Sequence, residues 1–173
     1  MRAVFFDRDG TLMEDAGYCG DPARVRVFPG VSEALRRLKD AGFAVLVITN
    51  QSGIARGLIT EGQYHAVQAE FLRQAGPGLI DATYYCADAP GTASARRKPA
   101  PGMVLEAAAR YGIDLAQSYF VGDKAADIEC GRRAGTRTIL VLTGEGARQR
   151  CQADFTCVDV VEAVRKITGN TVD

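Results

Sequence analysis

The sequence predicts an α/β fold with a mainly parallel sheet and helices on both faces. Three observations carry this. Strand-like and helix-like segments alternate along the whole chain, the order that builds parallel sheets through helical crossovers. "FAVLVITN" is an unbroken apolar run of the kind found in central parallel strands, buried on both faces. Glycines close the helix-like stretches, as at Gly42 and Gly112.

"RAVFFD" reads as the first strand, too short and too β-rich for a helix. "GVSEALRRLKDAG" places apolar residues at 31, 34, 35 and 38, the helical period. After "FAVLVITN", "TEGQYHAVQAEFLRQAG" is a second helix with Thr60 as its N-cap. "DATYYCA" is a strand, and "PGMVLEAAARYG" a helix with Pro in its first turn and Gly112 at its end. "SYFVGD" (strand), "AADIECGRRAG" (helix), "TRTILVLTG" (strand), "ADFTCVD" (strand) and "VVEAVRKIT" (helix) complete the order. The expectation is one domain over residues 1–173, a Rossmann-like three-layer sandwich.

Composition narrows the function. Basic and acidic residues balance at 21 each, which argues against nucleic acid or a membrane surface as partner. No apolar run reaches the length of a membrane span, and no signal peptide is visible, so a cytoplasmic protein is expected. The five cysteines (Cys19, Cys86, Cys130, Cys151 and Cys157) form no C-x-x-C pair and read as reduced thiols, with Cys130 a packing residue. His65 is the sole histidine, on a helix surface, so chemistry needing several imidazoles is excluded.

Ligands on parallel sheets bind beyond the carboxyl ends of the strands. The residues there are Asp7-Arg8-Asp9-Gly10-Thr11, then Thr49-Asn50-Gln51-Ser52-Gly53, then Cys86 with a basic loop carrying Arg96, Arg97 and Lys98, then Gly122-Asp123-Lys124. Carboxylates gathered at one edge are costly without a cation. Oxygen ligands without His or Cys favour a hard ion such as Mg²⁺, which shares its shell with phosphate. Thr49, Asn50 and Lys98 are suitable donors to phosphate oxygens. This set suits Asp7 as a nucleophile and Asp9 as the group that handles the proton.

"DRDGT" resembles the D-x-D-G-T signature of the haloacid dehalogenase-like phosphohydrolases, and Asp7/Asp9, Thr49, Lys98 and Gly122-Asp123 with Asp127 look like that superfamily's four motifs in order. "VITNQSGIARG", "RKPAPGM", "VGDKAADI" and "EDAGY" are similar to the branch that holds the heptose-bisphosphate and histidinol-phosphate phosphatases. The resemblance implies a Mg²⁺-dependent phosphatase of a small phosphate ester. Asp7 would be the nucleophile, Asp9 the acid and base, and Thr49 and Lys98 would grip the phosphoryl oxygens. Mg²⁺ would sit on the Asp7 carboxylate, the Asp9 carbonyl and Asp123, with Asp127 orienting the site. Asp15, Tyr18, Asn50, Gln51, Ser52, Arg97 and Lys124 carry over as substrate contacts, with Arg56 a weaker candidate. The segments Thr11 to Pro29 and Gly53 to Arg97 are too short for a large cap domain.

The chain departs from the branch in one place. A Cys-x-His and a Cys-x-Cys commonly hold a structural zinc there, whereas "YYCADAPGTASARRKP" keeps only Cys86, with Asp88 where His would stand. One Cys and one Asp do not make a tetrahedral zinc site, so no zinc is expected, and the loop should be held by its own turns. A heptose 1,7-bisphosphate is the leading substrate. Histidinol phosphate, whose amine could pair with Asp88, and other sugar phosphates are the alternatives. Loss of Asp7, Asp9 or Lys98 would have pointed to a non-catalytic binding module, and all are present. A small uncapped domain fits a monomer.

Overall fold

The computed structural model describes residues 1–169; the last four residues of the expected domain lie outside them. Strands β1 (Arg2–Phe6), β2 (Phe43–Asn50), β3 (Ala82–Cys86), β4 (Tyr119–Gly122), β5 (Arg137–Val141) and β6 (Phe155–Cys157) form one sheet in the order β3-β2-β1-β4-β5-β6. Every neighbouring pair is parallel. Helices α1 (Val31–Asp40), α2 (Glu61–Ala75), α3 (Gly102–Tyr111), α4 (Ala125–Ala134) and α5 (Val160–Ile167) connect and cover it.

The period-2 alternation of side chains divides the core into two layers. Val4 and Phe6 of β1, with Val45 and Val47 of β2, pack with α1, α2 and α5 through Leu35, Leu38, Phe71 and Val164. Ala3 and Phe5, with Leu46 and Ile48, face α3 and α4 through Met103, Val104, Ala107 and Cys130. The strands therefore read as continuous apolar runs because both faces are covered. Cys130 is packing, as expected, and burial pushes its thiol up to about 12.

Helix ends reflect local chemistry. Thr60 caps α2 by accepting from the Gln63 N–H at 3.1 Å, while the Gln63 side chain accepts from the Thr60 N–H at 2.9 Å, a reciprocal capping box. Gly112 ends α3 in the left-handed region at φ 65°. From β1 the chain proceeds outward to β2 and β3, then returns to β4 on the other side of β1 and continues to β5 and β6. The carboxyl ends of β1 and β4 thus flank the switch point where such sheets bind ligands.

Candidate active site

Asp7 comes directly after β1, and its N–H continues the ladder to the Val121 carbonyl of β4 at 3.0 Å. Asp123 comes directly after β4. Adjacent parallel strands therefore deliver the two carboxyls side by side. Asp127 joins them from the first turn of α4, and carboxylate oxygens of Asp7, Asp123 and Asp127 all lie within 4.8 Å of one another. Glycines make the approach possible. A Cβ at Gly10, which sits at φ +85°, would lie 2.3 Å from Asp123 Oδ2, and one at Gly122 would lie 2.3 Å from Asp127 Cβ.

Lys98 is the counter-charge. It is 4% exposed, and its ammonium donates to Asp7 Oδ1 at 2.7 Å and to the Ile48 carbonyl at 2.8 Å, with Asp127 Oδ1 at 2.7 Å. Burial works against that charge, but Asp127 and Asp7 outweigh it and hold the pKa above the ordinary lysine value. One ammonium does not balance three carboxylates. Desolvation and the Asp127 charge push the Asp7 pKa up despite Lys98. Desolvation and the Asp7 charge push Asp123 up to about 8, against the pull of the Glu145 N–H. Three buried carboxylates against one buried ammonium leave a formal charge of −2, and an all-oxygen donor set suits a hard divalent cation.

The remaining Asp123 contacts come from residues that carried no expectation. Thr11 Oγ1 donates to Asp123 Oδ1 at 3.3 Å, and the Glu145 N–H donates to Oδ2 at 2.9 Å. Thr143 Oγ1 donates to the Gly10 carbonyl at 2.7 Å, tying the loop after β5 to the D-x-D turn. The position of Gly-Thr behind the two aspartates was the only sequence signal for Thr11; the loop after β5 gave none.

Above this floor opens a cavity of about 420 Å³ lined by Asp7, Asp9, Asp15, Gly17, Tyr18, Asn50, Gln51, Ser52, Gly53, Arg97, Lys98, Lys124, Ala126 and Asp127. Thr49 is buried beneath it and accepts from Gln51 Nε2 at 2.8 Å, which leaves the Thr49 hydroxyl proton uncommitted. Asp123 is fully buried and does not line the cavity. Asn50 reaches the cavity but is fixed from behind, its amide bonded at both ends to the Lys98 backbone at 3.0 and 3.1 Å. Gln51 also donates to Asp9 Oδ2 at 2.9 Å. Both amides thus line the cavity while bonding neighbours in the protein.

At the rim, Lys124 lies 3.7 Å from Asp15, and Asp15 accepts from the Gly17 N–H at 2.9 Å. Burial opposes the Lys124 charge, but Asp7, Asp123 and Asp15 raise its pKa overall. Arg56 does not line the cavity; it donates to the Tyr18 hydroxyl at 2.5 Å. Arg97 is held by its own loop. Its Nη1 donates to the Asp88 carbonyl at 3.0 Å, and the N–H groups of Arg96 and Arg97 both donate to Ser94 Oγ. The Cys86 thiol donates to Asp88 Oδ2 at 3.3 Å, and hydrogen bonds from Ser94 and Cys86 hold the Asp88 carboxyl below its ordinary range. Asp88 is not among the residues that line this cavity.

Comparison with known proteins agrees with this geometry. A family model described as HAD-hyrolase-like matches residues 95–167. A D-glycero-D-manno-heptose-1,7-bisphosphate 7-phosphatase of Thermosynechococcus vestitus is 38% identical, over 95% of this chain and 94% of the relative. The D-glycero-beta-D-manno-heptose-1,7-bisphosphate 7-phosphatase of Yersinia pestis is 41% identical, over 83% and 81%. Among solved structures, the D,D-heptose 1,7-bisphosphate phosphatase from B. bronchiseptica, complexed with magnesium and phosphate, superposes with a TM-score of 0.91 at 31% identity, covering 99% of this chain and all of that one. With the D-x-D turn, the buried lysine and the third carboxyl brought to one strand edge, the chain belongs to the haloacid dehalogenase-like hydrolases, in the family of the heptose-1,7-bisphosphate 7-phosphatases.

Proposed function

We propose that this protein is a Mg²⁺-dependent phosphatase that removes the 7-phosphate of D-glycero-D-manno-heptose 1,7-bisphosphate. The observation that carries the reading is the cavity itself. Asp7, Asp9 and Lys98 line it together with two further cationic side chains, Arg97 and Lys124. The first set suits the phosphoryl group that is transferred, and the second suits a distal anion. The similarity to heptose bisphosphatases over nearly the whole chain supports the same substrate.

The Asp7 carboxylate attacks phosphorus, and the phosphorus–oxygen bond to the sugar breaks as that oxygen takes the Asp9 proton. Asp9 then accepts a proton from the water that hydrolyses the aspartyl-phosphate, and Asp7 is released with inorganic phosphate. Lys98 and Thr49 donate to the phosphoryl oxygens, and Asp127 orients Lys98. The Asp7 carboxylate, the Asp9 carbonyl and Asp123 would hold Mg²⁺, which would supply the positive charge that lets a carboxylate approach a phosphate dianion. Histidinol phosphate is the weaker reading, because the acidic residue that would receive its amine is engaged elsewhere.

The test is kcat/KM with Mg²⁺ for both anomers of heptose 1,7-bisphosphate and for histidinol phosphate. About 10⁵ M⁻¹s⁻¹ or more for one heptose anomer is the expected result, an ordinary efficiency for a true substrate. Asp7→Asn should abolish turnover with the fold intact. Uniformly low values that still vanish in Asp7→Asn would keep the chemistry and overturn the substrate.

A further inference from the structure

Arg8 separates the two aspartates, and the reaction as described gives it no part. It is nevertheless 2% exposed, one of the largest fully buried side chains in the molecule. Its guanidinium lies behind Asp9, with Nη2 at 3.2 Å from each Asp9 oxygen. Nη1 donates to Gln68 Oε1 at 3.0 Å, and Gln68 in turn donates to Thr83 Oγ1 at 2.9 Å. The Tyr64 ring packs 5.6 Å from the guanidinium carbon. The network therefore anchors Asp9 to α2 and β3, elements that bring no other group to its carboxyl. Among the described residues Asp9 is the only carboxylate paired with Arg8.

A buried guanidinium is costly, and here the Nε proton has no partner among the described residues. Apolar residues would fill the same space at least as favourably, so burial alone does not account for it. What Arg8 supplies is restraint. With Gln51 on one oxygen and Arg8 straddling both, the Asp9 carboxyl is held from two sides at the cavity wall. Proton transfer demands such confinement, because donor and acceptor must come within about 2.6–3.2 Å. We propose that Arg8 is a positioning residue that holds Asp9 where it can protonate the leaving oxygen; Arg8 itself neither gains nor loses a proton. This rests on the reading of Asp9 as proton donor.

Leaving-group chemistry tests it. A sugar alkoxide needs the Asp9 proton to depart, whereas para-nitrophenolate leaves without one. kcat/KM covers only the steps through bond cleavage, so later hydrolysis of the aspartyl-phosphate does not enter. Arg8→Gln should lower kcat/KM on the sugar phosphate by about 10²-fold or more, the usual scale of acid catalysis. That loss should exceed the loss on para-nitrophenyl phosphate by at least about tenfold. Gln68→Met, which loosens Arg8 but keeps its charge, should show the same asymmetry at smaller size and serves if Arg8→Gln does not fold. Asp9→Asn is the reference. If it shows the asymmetry and folded Arg8 and Gln68 variants lose both substrates equally, the positioning role is overturned. If Asp9→Asn itself shows no asymmetry, the proton-donor reading falls and this inference with it.

Discussion

Removal of the metal should make stability fall with rising pH, and the structure sets both the sign and the scale. Desolvation and the neighbouring Asp7 charge raise the Asp123 carboxyl from its ordinary 3.8 to about 8. Below about pH 4 the group is protonated in folded and unfolded chains alike, and stability is unaffected. Between about pH 4 and pH 8 the unfolded chain ionises while the folded one resists, so stabilisation is lost progressively, and above pH 8 the loss is complete. At about 1.4 kcal/mol per tenfold, the full shift corresponds to a ceiling of roughly 5–6 kcal/mol. Relaxation around three coupled carboxyls reduces this, and about 2–4 kcal/mol is the expected change. For a domain of this size, that is about 5–15 °C in Tm.

The assay is thermal unfolding in EDTA and in about 10 mM Mg²⁺ at pH 5, 6.5 and 8. Protons compete with the cation for the same oxygens, so the Mg²⁺-induced rise should be small at pH 5 and largest at pH 8. Asp123→Asn should flatten the EDTA profile and lose the Mg²⁺ response together. A Mg²⁺ shift independent of pH, or an Asp123→Asn profile as steep as the wild type, would refute the reasoning.

The same contacts set three further expectations. Lys98→Met strands Asp7 and Asp127 without their shared ammonium and should cost about 3–5 kcal/mol in urea unfolding at pH 8. Asp127→Asn in the same chain should recover part of that, and additive losses would break the link. Arg97→Ala should lower kcat/KM for a bisphosphate more than for an aryl phosphate, whereas equal losses would assign Arg97 to the fold of its loop. Metal analysis of purified protein should find well under one zinc per chain, and a stoichiometric ion would overturn the reading of the Cys86 loop.

The elements were readable because their signals are local. Helix α1 buries the residues that its period placed inside, and α2 begins on the cap that Thr60 announced. The carboxylate cluster was readable because parallel strands collect their carboxyl ends at one edge, so the residues just beyond each strand become neighbours in space. Residues whose role depends on which loops meet were not readable. Arg8 looks like a spacer in D-R-D until α2 supplies Gln68 and Tyr64 behind it. Glu145 serves Asp123 through its backbone N–H, which no side-chain motif can encode. Asn50 and Gln51 line the cavity, and which neighbours each amide also bonds (the Lys98 backbone for Asn50, Thr49 and Asp9 for Gln51) depends on the loops that meet there. Ser94 was hidden among small residues, yet it gathers the Arg96 and Arg97 N–H groups beside Asp88 and Cys86.

Asp7 and Asp9 are tolerable side by side because the fold brings each a different cation. Lys98 meets Asp7 from the loop before α3, and Arg8 meets Asp9 from behind. Meeting them with different cations weakens the repulsion that one shared cation would leave. The charge not covered by these pairs lies on Asp123 and on Asp127, which shares Lys98 with Asp7, and a divalent cation would balance it. A phosphate dianion entering the neutralised site brings two negative charges with it, and a bisphosphate brings more. Arg97 and Lys124 line the same cavity, with Lys124 already 3.7 Å from Asp15. With Asp15 set against Lys124, Arg97 is the lining cation with no carboxylate partner among the described residues, and a second phosphate would supply one where an amine would not.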